Sequence, residues 1–119
     1  MNLIQASKNM TEPAISREEA DKLIAQGSDF RVTPERITGN IVSVGYVVMG
    51  TTTHAFLTMK NKFVIHGEAG CLDPANFKEE IGQRYAYDDA YRKLFALEGY
   101  YLASKRLEEE ELAASIRDF

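Results

Sequence analysis

The sequence predicts an α+β domain. In it, a small antiparallel β-hairpin packs under one long C-terminal helix and short N-terminal helices, and a third strand near residues 46–50 is one option. Three observations carry this expectation. Helix start signals recur at Ser16, Thr33 and Asp73. Between the second and the third, β-prone runs flank Asn61-Lys62 and the apolar period shortens from helical to alternating. From Asp73 onward the helical period returns. Two strands alone are marginally stable, so helix cover or pairing across a subunit boundary is expected.

The first dozen residues show no periodicity, and residues 1–15 read as a loose arm. Ser16-Arg17-Glu18-Glu19 is a capping box, Ala20, Leu23 and Ile24 form a short stripe, and Gly27 stops it. This predicts a helix over about residues 17–26. Thr33-Pro34-Glu35 combines an N-cap, a proline pre-set for the first helical position and an acid at the positive helix end. Ile37, Ile41, Val42 and Val44 continue one face, while Gly39 and Gly45 weaken it, so this helix is expected to end near 44. Tyr46-Val47-Val48-Met49 is either a short strand or an extended exit.

Residues 55–60 and 63–68 form the hairpin around Asn61-Lys62. Asn61 tolerates positive φ, but Lys62 stands where Gly is usual, so turn type and register stay open. Asp73-Pro74 then opens the long helix, with Phe77, Ile81, Tyr85, Leu94, Leu97 and Tyr101 on its apolar side and Ala86 and Ala90 allowing close packing beside it. Gly99 is expected to end or kink it, giving a helix over 74–98. Leu102 to Phe119 reads as a second helix, with Lys105–Glu109 and Arg106–Glu110 four apart and Leu112, Ile116 and Phe119 on one side. The expected organisation is one domain: the arm, a core over 16–102 and a helical acidic extension over 103–119.

Composition bounds the class. The chain has 119 residues, 45% hydrophobic and 27% charged, which suits one globular domain and excludes a disordered chain. No apolar run approaches the ~20 residues of a membrane helix, and the N-terminus lacks the pattern of a secretory signal. Cys71 is alone, which excludes an internal disulfide and favours a reducing compartment. Without secretion the sequon Asn9-Met10-Thr11 carries no meaning. A net charge of −4 argues against general nucleic-acid binding, though a small basic pocket remains compatible with it.

Several stretches are familiar together: Arg31-Val32-Thr33-Pro34, Leu57-Thr58-Met59-Lys60-Asn61-Lys62-Phe63, Gly67-Glu68-Ala69, Asp73-Pro74-Ala75-Asn76-Phe77, Glu80-Ile81-Gly82 and Leu97-Glu98-Gly99-Tyr100. Over about residues 31–102 the chain resembles a family of small tailed-phage proteins, named after gene product forty-nine of one podovirus and gene product sixty-six of another. Lys62 departs from the Gly common there, and the tail beyond 102 lies outside the resemblance. The resemblance supplies no catalytic residues. It implies a phage-encoded accessory protein working in the host bacterial cytoplasm.

Candidate chemistry is sparse. His66 and Glu68 share a strand face, and His54 joins them only in some registers; three such ligands suit a metal, while ordinary sheet histidines are the commoner outcome. Cys71 precedes a helix start, but a small buried cysteine explains it as well as a nucleophile served by His66. Asp88-Asp89, Glu79-Glu80 and Glu108 to Glu111 read as solvated faces. Tyr85, Tyr87, Tyr91 and Tyr100, with Arg84 and Arg92, are the candidate partner-binding surface, because a monomer core cannot easily take so many rings.

The expected function is therefore non-enzymatic and needs no cofactor. The protein binds a host bacterial protein to counter defence or redirect metabolism, with homo-oligomer formation an added option. An oligomeric nucleotide-binding module that sequesters a signal is the alternative, and a small metal-dependent hydrolase using His54, His66 and Glu68 the second.

Overall fold

A computed structural model describes residues 11–118. The first two residues of the sequon, Phe119 and most of the expected arm lie outside the described residues. The chain divides into two compact units between Arg31 and Val32.

The first unit contains helix α1, Arg17–Ala25, begun as the capping box requires: Ser16 Oγ accepts from the Glu19 amide at 3.1 Å. At its other end the Arg31 guanidinium donates to the carbonyl oxygens of Ile24 at 2.9 Å and Ser28 at 2.6 Å, a cationic cap on the negative helix end. No residue of α1 is buried.

The second unit holds the remaining elements. These are α2 (Pro34–Gly39), β1 (Ile41–Met49), β2 (Thr52–Met59), β3 (Val64–Gly70), a 3-10 turn (Pro74–Asn76) and α3 (Glu79–Arg117). The three strands form an antiparallel meander in the order β1-β2-β3, so the third strand is present and the fold is α+β.

The helix expected over 34–44 stops at Asn40. The Asn40 side chain donates to Arg36 O at 2.9 Å, and its carbonyl accepts from the Lys60 amide at 2.9 Å, tying the helix end to the sheet. Ile41, Val42 and Val44 are β-branched, and pairing with β2 overrides their helical spacing. Val42 is the extra residue of a bulge between the pairs Ile41–Met59 and Ser43–Thr58. Gly50-Thr51 joins β1 to β2; Gly50 takes φ +59°, as the first position of a tight II′ turn demands. In the second hairpin Lys62 takes positive φ, +74°, while Asn61 Oδ1 accepts from the Phe63 amide at 3.0 Å.

The long helix differs most from expectation. Asp73 caps only the 3-10 turn, accepting from the Ala75 amide at 2.9 Å, and extended Phe77 and Lys78 precede α3. α3 then runs unbroken through Gly99 for 39 residues, roughly 58 Å at ~1.5 Å per residue. A mid-helix glycine costs only about 1 kcal/mol, too little to break a helix held by continuous propagation.

The core consists of Ile37, Thr53, Ala55, Leu57, Ala86, Ala90 and Leu94. Strand alternation points Thr53, Ala55 and Leu57 at α3. The expected apolar side of the helix is displaced: Ile81, Tyr85, Leu97 and Tyr101 are exposed, and the alanines beside them make the contact. A side chain at Gly67 would overlap the Ala86 carbonyl and the Ala90 amide, and one at Gly82 would overlap Thr53 Oγ1. At this separation neither Gly67 nor Gly82 has room for a Cβ. Thr53 Oγ1 is buried there with no hydrogen-bond partner among the described residues.

Gly67→Ala and Gly82→Ala should each destabilise the domain by about 3 kcal/mol in urea unfolding. Thr53→Val, which removes the orphan hydroxyl at nearly constant shape, should be neutral or stabilising. Wild-type stability of both glycine variants would contradict the close helix–sheet approach.

Candidate functional site

The two edges of the sheet are treated differently. α3 packs over β2 and β3. Along the outer edge of β3, Asp89 Oδ2 accepts from the Glu68 amide at 3.0 Å, and Lys93 Nζ donates to His66 O at 2.9 Å. Asp89 and Lys93 also pair with each other at 3.2 Å. The Glu68 amide, helped by Lys93, holds the Asp89 carboxyl below the ordinary aspartate range. Asp89 is thus a seal on a strand edge rather than part of a solvated face.

Among the described residues β1 has no such cover. Every residue from Val42 to Met49 is exposed, and the strand carries no charge and no proline. Pairing with β2 is unbroken from Ser43 to Met49. Among the described residues no side chain of another element hydrogen-bonds the outer edge of β1 between Ile41 and Val48. A long, apolar, unsealed edge is a template for strand addition. Sequence reasoning missed this surface because half of β1 read as helix; the tight-turn signal Gly50, between two β-prone runs, marked it.

The structure divides the six expected partner-binding residues. Arg84, Tyr87 and Tyr91 line one flank of α3. The Arg84 guanidinium lies 5.9 Å from the Tyr87 ring centre, Tyr87 and Tyr91 lie 5.9 Å apart, and Phe95 meets Tyr91 edge-on at 5.4 Å. Both tyrosines pack against the core, and Tyr91 Oη donates to Pro34 O at 3.2 Å. Burial, then Tyr91, then Tyr46 of β1 push the Tyr87 phenol above its ordinary pKa. Arg84 also pairs with Asp88 at 3.1 Å. Tyr85, Arg92 and Tyr100 are exposed elsewhere on the helix, Tyr85 about 160° around from Tyr87 at ~100° per residue. They do not join the same surface.

Register decides the histidine question. His54 pairs with Glu68 and Phe56 with His66, on the face opposite α3. His54 Nδ1 and His66 Nε2 are 2.9 Å apart, and one ring nitrogen of each histidine and a Glu68 carboxylate oxygen all lie within 4.8 Å of one another. Both rings are half-buried, and Phe56 lies 5.0 Å from the His66 ring. Cys71 stands outside this group: it is half-buried, with Sγ 3.2 Å from Asp73 O.

A cleft of about 470 Å³ opens between the hairpin turn and α3, lined in part by Arg36, Lys60, Phe63, Glu98 and Tyr101. Arg36 Nε donates to Glu98 Oε1 there, and the guanidinium lies 5.9 Å from the Tyr101 ring centre.

Residues 32–106 match the family described as Phage protein (N4 Gp49/phage Sf6 gene 66). No curated protein and no solved structure matches the chain. No helix among the described residues is long and apolar enough to cross a membrane.

The two perturbed groups set opposite pH limits. Asp89, with its pKa depressed on folding, contributes stability that is present above the ordinary value of 3.8 and lost as pH falls below it. Asp89→Asn should therefore flatten the acid limb of a urea-midpoint profile. Tyr87, with its pKa raised, contributes stability that is present below its ordinary value of 10.0 and lost as pH rises beyond it. Tyr87→Phe should remove that part of the alkaline loss, and unchanged limbs in both variants would refute the assignments.

Proposed function

The chain belongs to the Phage protein (N4 Gp49/phage Sf6 gene 66) family, and on that premise we propose that it is a non-enzymatic accessory protein that binds a host protein in the bacterial cytoplasm. Its action there is to counter defence or redirect metabolism by occupying the target's working surface. One observation carries this reading: β1 is an apolar, exposed edge strand that no side chain of the described residues seals, on a sheet whose other edge is sealed by Asp89 and Lys93. The occupant that fits is an extended, largely apolar segment. It adds main-chain hydrogen bonds to β1 and sets its side chains against Val44, Tyr46 and Val48 on one side, with Arg84 and Tyr87 at the margin. The binding surface therefore keeps Arg84, Tyr87 and Tyr91 from the sequence expectation and adds β1. Tyr91 and Tyr87 support the core as well, so their truncation would confuse binding with stability; exposed β1 positions are the cleaner probes.

A nucleotide-binding role is the second reading, favoured by the cleft. Its volume lies within the roughly 300–1,000 Å³ range of small-ligand sites, and it combines the rings of Phe63 and Tyr101 with the cations of Arg36 and Lys60. Arg36 is already engaged by Glu98, which weakens its draw on a phosphate.

Native mass spectrometry of the protein purified from its bacterial host tests both readings. The expected result is a stoichiometric complex with one host protein. It should be lost in the double variant Val44→Lys, Val48→Lys, whose melting temperature should stay near wild type because both positions are exposed. A bare chain or a homo-oligomer with no host protein bound would overturn the host-target reading. A retained small ligand, or a rise in melting temperature with nucleotides that Phe63→Ala abolishes, would establish the second in its place.

A further inference from the structure

We propose that the face of the sheet opposite α3 carries a binding site for one divalent transition-metal cation of the zinc class, held by His54 Nδ1, His66 Nε2 and a Glu68 carboxylate oxygen. The site is independent of the β1 edge and of any host partner.

The backbone builds it. β2 turns Thr53, Ala55 and Leu57 toward the helix, so His54 between them must face the other way. On β3, Gly67 makes the close approach to α3, which turns His66 and Glu68 to the same opposite face. The β2–β3 register sets His54 directly across from Glu68, with His66 on the diagonal. Three donors from two paired strands thus lie on one face, the two histidines half-buried and Glu68 exposed.

The distances suit one ion. Two nitrogens bound at ~2.05 Å to a tetrahedral cation stand about 3.3 Å apart, with ring centres roughly 5 Å apart. Here the nitrogens are 2.9 Å apart and the ring centres 5.1 Å, so an opening of a few tenths of an ångström brings the two imidazoles to that spacing, and rotation of the exposed Glu68 side chain brings in the third donor. A hydrogen bond between the two histidines accounts for that pair alone. The β2–β3 register adds a third donor, bringing a Glu68 carboxylate oxygen within 4.8 Å of a ligand nitrogen of each histidine.

Donor chemistry chooses the metal. Two imidazoles and one carboxylate suit zinc, cobalt, nickel or copper, whereas magnesium and calcium require oxygen donors throughout. Glu68 is exposed and three protein ligands leave a coordination position open, so the ion would keep water or accept an outside ligand.

The test uses tag-free full-length protein, stripped with chelator and titrated with Zn²⁺ by calorimetry, with Mg²⁺ as control and Co²⁺ as spectroscopic probe. One Zn²⁺ should bind per chain, raise the melting temperature and show tetrahedral Co²⁺ absorption, and Mg²⁺ should do nothing. His54→Ala and His66→Ala should each weaken binding beyond the roughly 10–100-fold that losing an outer-sphere partner costs. Should an alanine variant misfold, Glu68→Gln provides the second arm. It changes an exposed side chain while leaving its backbone bond to Asp89 intact, and should still weaken Zn²⁺ binding at least about tenfold. Absence of saturable Zn²⁺ binding, or binding indifferent to His54→Ala and Glu68→Gln, would leave only a histidine–histidine hydrogen bond and overturn the proposal.

Discussion

The close approach of α3 to the sheet governs the rest of the second unit. Gly67 on β3 and Gly82 on α3 provide the space, and Ala86 and Ala90 fill it without forcing the helix away. A helix with its side chains is ~10 Å across and strands lie ~4.8 Å apart, so one helix seated this way covers about two strands. It covers β2 and β3 and leaves β1 outside. The same contact orients both faces. Once Gly67 is against the helix, alternation sends His66 and Glu68 to the open side, and once Thr53 and Ala55 are buried, His54 must follow them.

Sealing one edge and not the other is the second consequence. Because α3 runs beside β3, Asp89 and Lys93, four apart on one helix face, reach the outward amide of Glu68 and the outward carbonyl of His66. Those groups would otherwise offer a strand edge to other chains. β1 lies beyond the reach of the helix, and its own sequence holds no charge or proline to blunt it. The bulge at Val42 disturbs only its first residues. One edge of the sheet is thus protected by side chains of α3, and the other, among the described residues, is not.

The proposed partner surface and the proposed metal site lie on separate parts of one small sheet. The β1 edge and the Arg84–Tyr87 flank are apolar and aromatic, suited to a polypeptide. The His54, His66 and Glu68 group sits on the opposite face, between β2 and β3, and is suited to a cation. Tyr85, Arg92 and Tyr100, which the sequence expectation groups with Tyr87 and Tyr91 as one partner surface, belong to neither; on a helix this long, tyrosines spread over many turns face in different directions.

Local chemistry in the sequence was enough to determine the α+β class, the caps at Ser16 and Thr33, the turn at Asn61 and the family stretch ending in Leu97-Glu98-Gly99-Tyr100. These depend on neighbours a few residues apart, where side chain and backbone interact directly. Tertiary structure decided the rest. It turned Ile41 to Val44 from helix to strand, because pairing with β2 outweighs a weak helical preference broken by glycine. It carried α3 through Gly99, because one glycine costs less than ending a packed helix. It chose alanines over Ile81 and Tyr85 for the core, because the helix–sheet distance is set by two glycines far apart in the chain. It brought His54 to Glu68, because register is a property of paired strands and a slip of one residue would have sent the histidine to the other face.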